Sequence, residues 1–256
     1  MPAFTRGKHQ LYYRQSHADN PNKLVLIHGA TGNMYHWPAE LRQNRGIDVV
    51  SVDLPGHGRA KGSAFRSISG YAGVVTEFLK QLQPSGVFLL GHSMGGAISQ
   101  YIAVNQKRLV KGLALASTGA YLPVNSIILE KSKSEKTKTE VAGLISDVAY
   151  GKNVDNAIKE GGLKGMMMVP AKVFRADFGA CSRFDIRKRL QEIKQPTLIL
   201  CGTEDKMTPA EYSRDLHRQI AHSELKLFKD AGHMVMLEEP GAFIKSLMHW
   251  LLPLVN

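Results

Sequence analysis

Cysteine is scarce in this chain of 256 residues, which contains only Cys181 and Cys201. The two form no CxxC pair, and no Cys/His cluster has the spacing of a metal site. A scaffold that depends on several disulfides or on a zinc-type metal centre is therefore excluded, and a reducing compartment is favoured. A chain of this length buries enough of its surface to fold without such cross-links.

Long hydrophobic runs are also missing. No apolar stretch approaches the roughly 20 residues that are needed to span a bilayer. The N-terminal "MPAFTRGKHQ" lacks the apolar segment of a secretory signal, and "SLMHWLLPLV" near the C-terminus suits a helix that docks on a core. We expect no membrane insertion and a cytoplasmic protein.

Negative charge is in the minority: 33 Lys and Arg residues face 22 Asp and Glu, for a net charge of +11. A basic surface can meet nucleic acid or an acidic protein. Here, however, the basic residues are scattered among acids, and no zinc finger or RNP-type motif is present. We therefore expect no nucleic-acid binding and interpret the charge as a contribution to solubility.

What the sequence does have is a regular alternation of short apolar runs and helical patterns. The runs predict strands at 23–29, 47–54, 86–92, 110–117, 196–202 and 224–232. Several are continuous rather than alternating, as in a parallel sheet that is buried on both faces. Helices are predicted at about 67–82, 94–106, 208–219 and 239–252, and an antiparallel pair turning near Gly7 is expected before residue 20. Such alternation is typical of βαβ units.

One segment, residues 119–190, breaks this rhythm. It contains no convincing strand and is helical in type, with Lys and Glu mixed through "EKSKSEKTKTE". Because it is too long for a plain loop, we interpret it as a helical cap over the edge of the sheet. Residues 1–118 and 191–256 would then form the two parts of one α/β core.

The stretch Gly91-His92-Ser93-Met94-Gly95 matches G-x-S-x-G. Alone the match is weak, since chance supplies it about one time in ten in a chain this long. Here it follows a predicted buried strand and opens a predicted helix, which is the setting of a nucleophile elbow. Ser93 is therefore the candidate nucleophile, and an idle serine in a Gly-rich turn is the alternative.

A serine hydroxyl needs an adjacent base, and the base needs an orienting acid. His233 in "DAGHMVMLEEP" and Asp205 in "CGTEDKMTP" each follow one of the last two predicted strands. The order Ser, Asp, His is the one expected on a doubly wound sheet, with every member at the carboxyl end of a strand. Glu204 is a rival for the acid, and Asp53 is a weaker one.

Two backbone N–H groups are needed to stabilise an oxyanion. Met94, directly after the serine at the start of a helix, is predicted to supply one. The Gly-rich "HGATGN" after the first core strand is predicted to supply the other from Ala30.

Five stretches of the chain, taken in order, resemble the motifs of the α/β-hydrolase superfamily in its single-domain, capped branch. They are "HGATGN", "VDLPGHGRA", "GHSMGG", "GTEDKMTP" and "AGHMVMLEEP". The resemblance covers nearly the whole chain. It implies an eight-stranded, mostly parallel sheet with helices on both faces, a triad of Ser93, His233 and Asp205, and no cofactor. Relatives with an Asp nucleophile, such as haloalkane dehalogenases and epoxide hydrolases, are disfavoured by Ser93. Ala60 departs from the commoner "DLPGHG-R-S" run at a position that is not catalytic.

The resulting hypothesis is a serine esterase acting on small or medium carboxylic esters through an acyl-enzyme. Candidate walls of its substrate pocket are Trp37, Met166, Met167, Met168 and Val169, although ordinary packing is the stronger interpretation of the Met run. A lactonase or enol-lactonase and an acyl-carrier methyl-ester esterase are the alternatives within the class. The last would bring an acidic carrier protein to basic residues such as Arg175, Arg183, Arg187 and the lysines of 131–138.

Two interpretations from other classes stay open. One is a receptor-like protein of weak turnover that binds a small ligand and recruits a partner through its cap. The other is a cofactor-free perhydrolase using the same triad. The sequence is compatible with a monomer or a homodimer.

Overall fold

A computed structural model of the chain describes residues 2–17, 19–83 and 85–255. Within these residues eight strands form one sheet in the order β1-β2-β4-β3-β5-β6-β7-β8. The strands are β1 Ala3–Arg6, β2 His9–Gln15, β3 Lys23–Ile27, β4 Asp48–Asp53, β5 Val87–His92, β6 Val110–Ala116, β7 Thr197–Gly202 and β8 Ser223–Phe228. The first pair is antiparallel and β2 joins β4 antiparallel, whereas β4, β3, β5, β6, β7 and β8 pair in parallel.

Each predicted strand is present, with shifted ends. The last is the most shortened: β8 ends at Phe228 because residues 229–232 leave the sheet and carry the chain toward His233. Burial explains why continuous apolar runs in the sequence predict these strands, since every residue of β3, β4, β5 and β7 is buried. Alternate residues of these four strands enter two separate apolar clusters, one on each face of the sheet.

Helices cover both faces, as a parallel sheet requires. Their bounds are α1 Ala39–Arg42, α2 Ile68–Leu82, α3 Met94–Asn105, α4 Ser126–Lys131, α5 Glu135–Ala149, α6 Asn156–Met167, α7 Ala171–Cys181, α8 Ala210–Gln219, α9 Val235–Glu238 and α10 Pro240–Val255. The helices α2, α3 and α8 contribute to the cluster on one face, and α1 and α10 to the cluster on the other. The predicted fold class is confirmed.

The helices α4 to α7 are inserted between β6 and β7. Val141, Ile145 and Phe174 of this insertion are buried and join the same apolar cluster as α10. The insertion therefore shares a core with the sheet domain rather than standing off it. Within the described ranges, no helix has both the length and the apolarity that a bilayer crossing would need.

The turn from β5 into α3 depends on two glycines. A Cβ placed on Gly95 would lie 2.1 Å from the carbonyl oxygen of Ile27 in β3, and one on Gly91 would lie 2.3 Å from the carbonyl oxygen of Gly95. Both distances are far below van der Waals contact, and the obstacles are backbone atoms that cannot swing aside. Only glycine at these positions lets α3 lie directly on β3 and β5.

Gly95→Ala is expected to lower the free energy of unfolding by about 3 kcal/mol or more, because the added methyl must displace the backbone of β3. Gly143→Ala is the matched control: Gly143 also lies inside a helix, α5, but a Cβ there meets nothing within 4 Å. The control should gain about 0.5–1 kcal/mol from helix propensity alone. Urea unfolding followed by circular dichroism measures both, and equal effects of the two substitutions would contradict this account of the turn.

Candidate active site

Ser93 occupies the corner between β5 and α3 with φ 51° and ψ −115°. A non-glycine residue at positive φ is strained and persists only where its surroundings hold it. Two hydrogen bonds do so here: the Ser93 N–H donates to the carbonyl of Ala116 at 2.9 Å, and its carbonyl accepts from Thr118 Oγ1 at 2.9 Å. The end of β6 thus fixes the backbone that carries the hydroxyl.

Asp205 and His233 lie in the loops that follow β7 and β8, and their side chains are hydrogen-bonded. His233 Nδ1 is 2.9 Å from Asp205 Oδ2 and 3.1 Å from Oδ1. The carboxylate also accepts from the N–H groups of Met207 and Thr208 at 2.9 and 2.8 Å, and from Thr208 Oγ1 at 2.8 Å. Because a carboxylate only accepts, Nδ1 carries the proton of neutral His233, and Nε2 is left as a base.

Asp205 is 4% exposed, and burial by itself would raise its pKa. The interaction with His233 and the hydrogen bonds from His233 and Thr208 outweigh burial, so the pKa of Asp205 lies below its ordinary value. The acid is therefore held as a carboxylate at neutral pH.

The backbone of His233 is clamped from two directions. Its N–H donates to the carbonyl of Ala149, the last residue of α5, at 2.8 Å. Its carbonyl is 3.0 Å from Nε2 of His92, and burial, followed by the neighbouring His233, lowers the pKa of His92 well below its usual value. His92 is thus neutral and donates one hydrogen bond that fixes the loop, rather than being an alternative base.

Ser93 and His233 both line one cavity of about 480 Å³ between the sheet and the inserted helices. Ala30 and Thr208 lie on its wall, on the side of the sheet. The apolar part of the wall includes Leu122, Val124, Ile145, Ala149, Met166, Phe178, Met234 and Leu237. The structure therefore joins the serine and the His233–Asp205 pair to a single, mainly apolar chamber.

The predicted wall residues separate into two groups. Met166 lines the cavity. Met168 does not, because it caps the C-terminus of α6 and is 84% exposed. Met167 and Val169 are partly buried against the apolar cluster outside the cavity lining, and Trp37 is 1% exposed in the core with its ring nearly perpendicular to that of His92. For these four residues the expectation of a pocket wall is wrong.

The two predicted N–H donors have different surroundings. Met94 is the first residue of α3, where a helix leaves the N–H without an intrahelical partner. In the loop of residues 28–33, the Thr31 N–H donates to Asp177 Oδ2 at 2.8 Å and the Gly32 N–H to the carbonyl of Gly29 at 3.2 Å. Since its two successors are already engaged, Ala30 is the residue of this trio whose N–H can turn to a ligand.

The two rival acids are engaged elsewhere. Glu204 accepts from the N–H of Lys152 at 2.8 Å and pairs with Lys152 Nζ at 3.2 Å. Asp53 accepts from the N–H groups of Met34 and Arg59 at 2.7 and 2.9 Å and so holds the loop after β3 against the loop after β4. Among the described residues, no group of three His, Cys, Asp or Glu side chains is placed to hold a metal ion.

A buried acid that sequence reasoning missed is Asp177 of α7, which is 0% exposed. Its Oδ2 accepts from Thr31 N–H and lies 2.7 Å from His57 Nε2, and its Oδ1 accepts from the Tyr71 hydroxyl at 2.5 Å. A signal was present: Asp177 lies on the same helical face as Val173, Phe174 and Cys181, where an apolar residue is expected.

His57, in the turn after β4, is the partner of that acid. Burial lowers the pKa of His57, but the charge of Asp177 and its hydrogen bond more than compensate, so the pKa is raised. His57 Nδ1 is also 3.2 Å from the carbonyl of Pro55, so both ring nitrogens face acceptors. The pair is therefore a buried imidazolium–carboxylate contact between the insertion and the core.

Comparison with known proteins gives these features a context. Residues 24–246 match the model of the alpha/beta hydrolase family. The chain belongs to this family. A solved structure of a thermophilic esterase is 27% identical, covers 99% of this chain and 97% of its own, and superposes with a TM-score of 0.87. The enol-lactonase from Burkholderia xenovorans LB400 is 19% identical with a TM-score of 0.90 over 98% and 100% of the two chains, a likeness of fold.

Among sequence relatives, the uncharacterized hydrolase YugF of Bacillus subtilis is 27% identical over 93% of this chain and 92% of its own. The family membership and the fold are thus shown over nearly the full length. What this member of the alpha/beta hydrolase family acts on is a separate question.

The His57–Asp177 contact predicts a pH dependence of stability. A raised folded-state pKa means that the contribution of His57 is complete below its unfolded pKa of about 6.5 and is lost as pH rises through the folded value. His57→Gln removes the titrating group. The difference in unfolding free energy between wild type and His57→Gln should therefore shrink as pH is raised from 6 to 9, as measured by urea unfolding. A difference that grows with pH would contradict the assignment.

Proposed function

We propose that the protein is a carboxylic ester hydrolase in which Ser93, His233 and Asp205 form a catalytic triad. The observation that carries the proposal is the shared chamber: a serine held on a strained turn faces the same cavity as a histidine whose Nδ1 is bonded to a buried carboxylate. A nucleophile, its base and an orienting acid are the parts that acyl transfer requires.

The chemistry follows from the tautomer of His233. Ser93 Oγ attacks the ester carbonyl carbon while His233 Nε2 takes the hydroxyl proton. The N–H groups of Ala30 and Met94 stabilise the resulting oxyanion. The intermediate collapses to an acyl-serine, and the leaving alkoxide takes the proton from His233. Water then attacks the acyl carbonyl carbon while His233 Nε2 takes its proton. The bond from the acyl carbon to Ser93 Oγ breaks, Oγ takes the proton back from His233, and the carboxylic acid is released. Asp205 remains ionised throughout and stabilises the imidazolium.

The size and lining of the cavity support esters with small or medium acyl groups as substrates. A volume of about 480 Å³ lined mainly by aliphatic and small side chains accepts an aliphatic chain and offers few groups for a charged one. Membership of the family and the likeness to a thermophilic esterase at 27% identity agree with this class of substrate.

Ser93→Ala is expected to lower kcat for p-nitrophenyl butyrate by roughly 10⁴-fold or more, and the double variant with His233→Ala should be little worse, because triad members act as a unit. Ser246→Ala is the control, since this serine lies on α10 and bonds only the carbonyl of Ala242. The assay is initial-rate hydrolysis at matched protein stability. Near wild-type turnover by Ser93→Ala would show that the serine is not the nucleophile.

Gly165 of α6 is expected to set the acyl-chain limit. It lines the cavity, and a Cβ at this position meets nothing within 4 Å, so a larger side chain projects into the space that a chain would fill. Gly165→Leu should lower kcat/KM for an octanoate relative to an acetate ester by about tenfold or more, since each displaced methylene is worth that much in an apolar pocket.

Gly143→Leu in α5 is the matched control for chain length, because it makes the same change in a helix at a position outside the cavity lining. Its ratio of octanoate to acetate hydrolysis should equal that of wild type. The measurement is a series of p-nitrophenyl esters from acetate to octanoate, with simple lactones added. An unchanged ratio in Gly165→Leu would place the acyl chain elsewhere.

A further inference from the structure

Asp177 belongs to the insertion, yet it holds the loop that carries Ala30. Its partners lie in three separate parts of the core: Thr31 in the loop after β3, His57 in the loop after β4, and Tyr71 in α2. All of these contacts are buried, and the residues are 106 to 146 positions apart in the chain. One carboxylate thus joins α7 to the wall of the reaction chamber.

The Thr31 contact is of special weight because Thr31 is strained. Its φ is 57°, a value that a β-branched residue adopts only under constraint. Two hydrogen bonds hold the strained residue: its N–H donates to Asp177 Oδ2 at 2.8 Å, and its Oγ1 donates to the carbonyl of Ala30 at 2.7 Å. Only the first of them comes from the insertion. The Ala30 N–H lies in the peptide one residue earlier, within the turn that the hydrogen bond from the Gly32 N–H to the Gly29 carbonyl closes. Asp177 holds the Thr31 N–H in the middle of this turn, next to Ala30, which lines the cavity.

The opposite side of the loop is held as well. His28 Nε2 accepts from the N–H of Leu54 at 3.1 Å, and His28 Nδ1 donates to the carbonyl of Gly29 at 2.8 Å. Burial, followed by the neighbouring His57, lowers the pKa of His28 well below its usual value, which matches a neutral ring with one donor and one acceptor. Residues 28 and 29 are thus held by hydrogen bonds within the core. The insertion holds the same loop at Thr31, through the hydrogen bond to Asp177.

We propose that Asp177 is a positioning residue: its hydrogen bond to Thr31 N–H holds the Ala30 N–H where the oxyanion forms, so the seating of α7 sets transition-state stabilisation. The proposal rests on the proposed ester hydrolysis. It assigns Asp177 no contact with the substrate. Its effect should therefore fall on kcat and not on KM, because the donor is needed most when charge develops on the carbonyl oxygen.

The test compares Asp177→Ala with Asp177→Asn. Alanine removes the acceptor, whereas the amide oxygen of asparagine can still accept from Thr31 N–H. We expect kcat for p-nitrophenyl butyrate to fall by about 100-fold in Asp177→Ala, with KM within threefold of wild type. Asp177→Asn should recover most of that loss. The affinity of an aliphatic trifluoromethyl ketone, whose serine adduct is an oxyanion, should fall in parallel with kcat.

Asp48→Ala is the matched control for loss of a buried, ion-paired carboxylate. Asp48 is 0% exposed and lies 2.7 Å from Lys23 Nζ, at the amino end of β4 and away from the cavity. It should lose stability and keep kcat. Assays run below the unfolding midpoint of every variant, and mass spectrometry of Ser93 labelled by a fluorophosphonate counts the competent sites.

Where Asp177→Ala does not fold, Asp177→Leu with His57→Met replaces it. This pair removes both buried charges together, which a folded protein tolerates better than one unpaired charge, and it still removes the acceptor for Thr31. Loss of stability with unchanged kcat and ketone affinity would overturn the proposal, and so would a loss confined to KM. Turnover that survives Ser93→Ala would instead overturn the proposed function itself, whatever the Asp177 variants show.

Discussion

The site depends on the contact of two backbones where α3 leaves β5. The start of α3 approaches the neighbouring strand β3 so closely there that a methyl group on Gly95 would overlap the Ile27 carbonyl. This approach forces the chain through a sharp corner, and Ser93 takes a strained, positive-φ conformation at its apex. The same corner places the N-terminus of α3 beside the serine. A reactive hydroxyl and a backbone donor for an oxyanion are therefore products of one packing constraint.

The insertion is bound to this site by polar contacts as well as by a shared apolar core. The carbonyl of Ala149 at the end of α5 holds the His233 N–H, Glu238 accepts from the N–H of both Gly151 and Gly232, and Glu204 pairs with Lys152. On the opposite side Asp177 holds the loop of residues 28–33. Each loop that carries a proposed reacting group other than Ser93 thus has a partner in or beside the insertion.

The sheet was predictable because both of its faces are covered, which makes β3, β4, β5 and β7 continuous apolar runs. The order of Ser93, Asp205 and His233 was readable for a related reason: parallel strands deliver their carboxyl ends to one edge. The residues that line the pocket could not be predicted from the sequence in this way. Whether Met166 or Met168 faces the chamber depends on the rotation of α6 and on where it ends, at Met167. A run of similar side chains, such as three consecutive methionines, indicates neither the rotation of the helix nor its last residue.

Asp177 was missed because its role exists only across long separations, 120 residues to His57 and 146 to Thr31. No local pattern can name such partners, although an acid on the apolar face of α7 could have raised the question. The same helix supplies Phe178 and Cys181 to the wall of the cavity. On the proposed role of Asp177, a ligand that shifts these side chains would also act on the hydrogen bond to Thr31 and on the turn that carries the Ala30 N–H. In this proposal, one turn of α7 links the binding of substrate beside the insertion to the stabilisation of the oxyanion by the core.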